Sequence, residues 1–169
     1  MRPAEPLRLV ALALLALLIQ LALYLRFPEW RAGIDLYLIF LLLLTATRGQ
    51  LTAGVFALGG GIIMDCFSGS FYVFHTVFYV APVIMGTLMR SHVLVEYRQL
   101  GTLCVATLLI VKILVMFGVA LALGWIDSPL YLLRVNYWSL LLVIAAVYLG
   151  WNGIVRLFAR VYEVKGFGR

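Results

Sequence analysis

"GIDLYLIFLLLLTAT", residues 33–47, decides how many times this chain crosses a membrane. Leu36 to Leu44 is unbroken apolar sequence, but the stretch is only about 15 residues long and carries Asp35 near its start. A spanning helix needs about 20 mostly apolar residues at 1.5 Å each to cross a hydrocarbon layer about 30 Å thick. Read as a span, this one has to stand nearly upright or thin the bilayer locally. Read otherwise, it is a hairpin that enters and returns. The choice decides on which side everything after it lies.

The distribution of charge arbitrates. The stretches 8–26, 51–68, 71–89, 100–124 and 136–157 are the other apolar segments. With 33–47 counted as a crossing and the N-terminus in the cytoplasm, the inner side holds Arg2, Arg8, Arg48, Arg90, Arg98, Arg156, Arg160, Lys165 and Arg169. The outer side holds Arg26, Arg31 and Arg134, and Lys112 lies inside a span. Cytoplasmic loops are enriched in Lys and Arg, so six spans with both termini inside satisfy the rule. Five spans would put the basic C-terminal cluster outside. The expectation is therefore an all-α polytopic membrane protein filling residues 1–169 as one domain, with a basic amphipathic tail over 154–169.

Composition agrees. Of 169 residues, 65% are hydrophobic and 12% charged, about half the charged share of a soluble domain. The net charge of +6 follows from topology, so no nucleic-acid partner is called for. Membrane lipid is the expected surrounding, with the tail's Arg and Lys near anionic headgroups. The run from Leu9 to Leu25 is too long for a signal-peptide core, and "LRFPEW" after it offers no small-residue cleavage site, so it reads as a retained first span. Cys66 and Cys104 make no disulfide framework and read as small apolar fillers.

Aromatic rings prefer the membrane–water interface. Tyr24, Tyr37, Tyr137 and Trp138 are assigned to the outer belt, and Trp151 to the inner one. The segment "GWIDSPLYLLRVNYW", 124–138, reads as the longest outer loop.

Inside the third span, Ala53, Ala57, Gly61 and Asp65 stand four residues apart and share a helix face. Gly59 and Gly60 widen this strip of small residues. In lipid, small residues let backbones approach closely; a local kink is the other way to read three glycines. Ser68, Gly69 and Ser70 form a short external turn. Asp65 and Lys112 lie roughly 21 Å and 18 Å above the inner ends of their spans. Their similar depth makes them candidates for a buried ion pair. Alternatively, Asp65 caps the Ser-Gly-Ser turn and Lys112 snorkels or meets a partner protein. His75 and His92 have no Cys, Asp or Glu at metal-ligand spacing, so neither a metal nor any other cofactor is expected. No nucleophile elbow or phosphate loop is present, and no catalytic residue is nominated.

The core "GGGIIMDCFSGSFYVFH", followed by an apolar span ending "MGTLMR", resembles the rod-shape-determining MreD family of bacterial inner-membrane proteins. Gly61, Asp65, Ser68 and Gly69 fit its pattern of glycines, an apolar-apolar-Asp and a Ser/Gly turn. Val73 stands where many members carry a second glycine. The resemblance implies a bundle like the substrate-binding S components of energy-coupling-factor vitamin transporters. It also implies a non-catalytic scaffold of the cell-elongation machinery, partnered by MreC and, through it or directly, by RodA, a class B transpeptidase and MreB. The alternative is a vitamin-type transporter subunit, with Gln20, Asp65, Lys112 and tyrosines lining a lumen.

Overall fold

A computed structural model describes residues 4–27, 34–68, 74–88, 98–122 and 129–162. All of these are helical except Phe27, Ile34, Asp35, Gly49 and Tyr79. The helices are α1 (Ala4–Arg26), α2 (Leu36–Arg48), α3 (Gln50–Ser68), α4 (Phe74–Phe78), α5 (Val80–Leu88), α6 (Arg98–Ala122) and α7 (Pro129–Tyr162). Among the described residues, four segments are long and apolar enough to cross a membrane: Leu7–Arg26, Gln50–Phe67, Arg98–Val119 and Asn136–Ile154. Leu36–Arg48 and Phe74–Leu88 are shorter apolar helices.

α2 is the centre of the fold. Every residue from Tyr37 to Ala46 is buried, and α1, α3 and α5 pack around it. A helix apolar on all sides has no face to give to water and is stable only when covered all round. This accounts for its shortness. At 13 residues it rises only about 20 Å, but surrounding helices rather than lipid cover it. Asp35 starts it by accepting from the Leu38 amide at 3.0 Å, satisfying one of the orphan donors of its first turn. Gly49, at φ +88°, makes the one-residue joint to α3, a backbone conformation that favours glycine.

α3 runs unbroken through its three glycines, which resolves the choice between packing and kink. A Cβ on Gly60 would overlap the Tyr37 ring, and one on Gly61 would overlap the Thr76 backbone. The Tyr37 hydroxyl uses that space to donate to the Phe56 carbonyl at 2.7 Å, one turn before Gly60. Ala53 and Ala57 are fully buried on the same helix. Gly59 is exposed, with nothing within 4 Å of a Cβ placed there, so it does not belong to the packed strip: it points roughly 100° away from Gly60. The opposite side of α3, with Leu51, Val55, Leu58 and Ile62, is exposed.

The apolar segment after the Ser/Gly turn is divided at Tyr79 into α4 and α5. Pro82 has no N–H to offer the Phe78 carbonyl, and its ring crowds that group, so the helix breaks there. α6 and α7 pack on each other, with Trp151 seated where a Gly101 side chain would be. Beside it, the Arg98 guanidinium lies 4.0 Å from the Tyr148 ring centroid and donates to its hydroxyl at 2.7 Å.

Several expectations are corrected. α7 begins at Pro129, so most of the loop read over 124–138 is helix. Proline suits a first helical position, where its missing N–H has no partner to lose. The helix continues without a break to Tyr162, so the front of the 154–169 tail is its last turns. Tyr24, Tyr37 and Trp151 are buried within the bundle: the two tyrosines bond inside it and Trp151 fills the space above Gly101. Tyr137 and Trp138 are exposed. Cys66 is exposed and Cys104 buried; only Cys104 fills the core. Ser68 closes α3, while Gly69 and Ser70 lie outside the described residues.

Candidate functional site

Two polar clusters lie within the apolar bundle, and they touch. The first is built on Asp65. Its Oδ1 accepts from the His75 backbone amide at 2.7 Å and lies 3.0 Å from His75 Nδ1. Its Oδ2 accepts from the Thr76 amide at 2.9 Å and the Thr76 hydroxyl at 2.7 Å. The carboxylate of one helix thereby supplies the cap of the next: it takes up orphan N–H groups at the start of α4, where negative charge is favoured. Gly61 stands one turn before Asp65, and its missing side chain is what lets Thr76 come this close. The glycine sets the distance that the aspartate then uses.

The second cluster is built on Lys112, which is fully buried in the middle of α6. Its Nζ lies 2.5 Å from Asp35 Oδ2 and donates to the Tyr24 hydroxyl at 2.8 Å. The Tyr79 hydroxyl donates to Asp35 Oδ1 at 3.3 Å. Gln20 of α1 holds the entry to α2 from both sides, donating to the Ile34 carbonyl at 2.8 Å and accepting from the Leu36 amide at 2.7 Å. An ammonium in a dry interior requires an opposite charge and full hydrogen bonding. Asp35, Tyr24 and the fixed head of α2 provide both.

The ion pair joining Asp65 to Lys112 is therefore not formed. Asp65 is occupied by α4, and Lys112 meets Asp35. Similar depth along the helices puts the lysine near a carboxylate, but its partner is Asp35, the charge at the start of the short span. The sequence does hold the signal: an aspartate directly before an unbroken apolar run is an N-cap, and a cap on a buried helix is itself buried. His75, set aside as a metal ligand, links the two clusters. Its Nε2 lies 3.3 Å from the Tyr24 hydroxyl, and its ring packs against Tyr79 at a centroid distance of 5.8 Å.

The arrangement joins α1, the head of α2, α3, α4, the Tyr79 turn and α6 by polar bonds. Hydrophobic association between helices is weak in lipid, so buried polar contacts and close packing carry more of the specificity. Cluster members bond chiefly to one another. No family model, curated protein or solved structure matches this chain.

Proposed function

We propose that this protein is a six-pass, non-catalytic scaffold of bacterial cell elongation, of the MreD type, in the inner membrane. One observation carries the reading. Gly61 and Asp65, the residues on which the family resemblance rests, converge on the same two residues of α4, His75 and Thr76. The end of α3 and the start of α4 thus form one structural unit, as a signature of a fold would. In this reading α2 and Phe74–Leu88 cross as the second and fourth passes, shielded by longer neighbours, and both termini face the cytoplasm as the Lys and Arg asymmetry favours. With the polar groups engaged inside, the outward faces do the work: the Leu51–Val55–Leu58–Ile62 side of α3, and Tyr137 and Trp138 on α7. MreC is the first partner, with RodA, a class B transpeptidase and MreB reached through it or directly.

A photo-crosslinker at Leu58 or Trp138 in native membranes should capture MreC, RodA or the transpeptidase, and depletion should round a rod-shaped host. Normal rods after complete depletion would sink the reading. The transporter-subunit alternative needs Gln20, Asp65, Lys112 and the tyrosines to face a ligand, and their bonding within the bundle weighs against it. Tight vitamin binding by the purified protein would restore it.

A further inference from the structure

The donor and acceptor roles in the joined clusters are forced by chemistry. A carboxylate only accepts, so the contact between His75 Nδ1 and Asp65 places a hydrogen on Nδ1. In a neutral ring Nε2 is then the acceptor, and the Tyr24 hydroxyl donates to it. Tyr24 oxygen in turn accepts from Lys112 Nζ, and Lys112 gives another hydrogen to Asp35. The hydrogens all run one way, from Lys112 through Tyr24 and His75 to Asp65. Such assignments follow from the bonding network rather than from visible hydrogens.

Charge gives this chain of bonds a direction of response. With His75 neutral, the cluster contains the Lys112 ammonium and the carboxylates of Asp35 and Asp65, an excess of one negative charge among apolar helices. An imidazolium would balance it, against the cost of burying the charged ring and of facing the Lys112 ammonium, so the site fills on acidification rather than at neutral pH. The groups facing His75 are known from each side: Asp65 from α3, Tyr24 from α1, Lys112 from α6, Asp35 from the head of α2 and Tyr79 from the turn after α4. Of these, Tyr24 can exchange donor for acceptor, because a hydroxyl does both.

We propose that His75, clamped between Asp65 and Tyr24, is a proton-binding site. One proton from water adds to Nε2, and the Tyr24–His75 bond reverses, with Nε2–H now donating to a hydroxyl that has turned its own hydrogen away. The segment that responds is α4. It is only five residues long, is parted from α5 by the Tyr79 turn, and is tied to α1 through this bond. His75 is 1% exposed and Asp65 6%, so uptake requires α4 to part briefly from α1, where Nε2 lies against Tyr24.

Nitrogen-15 NMR of the full-length protein in lipid nanodiscs, with histidine rings labelled, tests this, and a His92→Gln variant identifies the His75 signals. The expected result is the Nδ1–H tautomer at neutral pH and reversible gain of a second N–H on acidification, with helix content unchanged by circular dichroism. Tyr24→Phe and Asp65→Asn should each lose the doubly protonated ring from that pH range. A His75 that stays singly protonated until the helices melt would overturn the proposal, as would an Nε2–H tautomer at neutral pH. Titration unchanged in both variants would do the same. The wild-type titration decides even where a variant does not fold.

Discussion

Asp65 and Asp35 are both carboxylates at helix ends in an oily bundle, yet they are held in opposite ways. Asp65 is served by residues ten and eleven positions further along. Its partners are two backbone amides and the side chains of His75 and Thr76, and its charge is satisfied by hydrogen bonds at the start of a helix. Asp35 is served by Lys112, seventy-seven positions away, and by Tyr79. Its charge is satisfied by another charge. The first arrangement forms as soon as two neighbouring helices meet. The second exists only when α1, α2, α5 and α6 have all been placed. The first is a local fastening and the second a closure of the whole bundle.

The largest expected effect comes from unbalancing the closure. Lys112→Met leaves Asp35 charged, buried and without its counter-ion, a change that typically costs about 3–5 kcal/mol. Thermal unfolding in detergent should show it as a large loss of stability. Adding Asp35→Asn should recover most of that loss, because no lone charge then remains. If the double variant is no better than the single one, the two residues do not act as a pair.

The local fastening should break more gently. Asp65→Ala removes an acceptor shared by four donors, each such bond to a charged group being worth about 1.5–3 kcal/mol at most and less where water can replace it. The expected signature is faster amide exchange at His75 and Thr76, with α6 protection retained. Equal deprotection of α6 would mean that the two clusters cannot be separated.

Glycine substitutions sharpen the same contrast at smaller scale. Gly61→Ala drives a methyl into the Thr76 backbone and should cost about 1–3 kcal/mol as overpacking. Gly59→Ala meets open space, and in a helix the exchange should be neutral or gain up to about 1 kcal/mol. Parallel melting curves of the two variants check this; equal losses would put Gly59 back into a packed interface, one formed with another molecule.

Much of this was legible in the chain. Apolar length located the apolar segments because a bilayer demands length, but it missed the start of α7 at Pro129 and the break at Tyr79; the four-residue spacing of Ala53, Ala57, Gly61 and Asp65 marked one face of α3 because helical geometry is local. Close approach at Gly61 was one of two readings the glycines allowed, and the Thr76 backbone against it decides for packing over a kink. What the sequence could not say was which glycine of the three pointed outward in practice, that Tyr24 and Tyr37 turn inward to bond, or that Lys112 chooses Asp35 over Asp65. Those depend on how the helices pack against one another in three dimensions. Periodicity and composition act along the chain and report on one helix at a time; the choice of an ion-pair partner is made across it, by whichever carboxylate is left unsatisfied at the right place once the helices have packed.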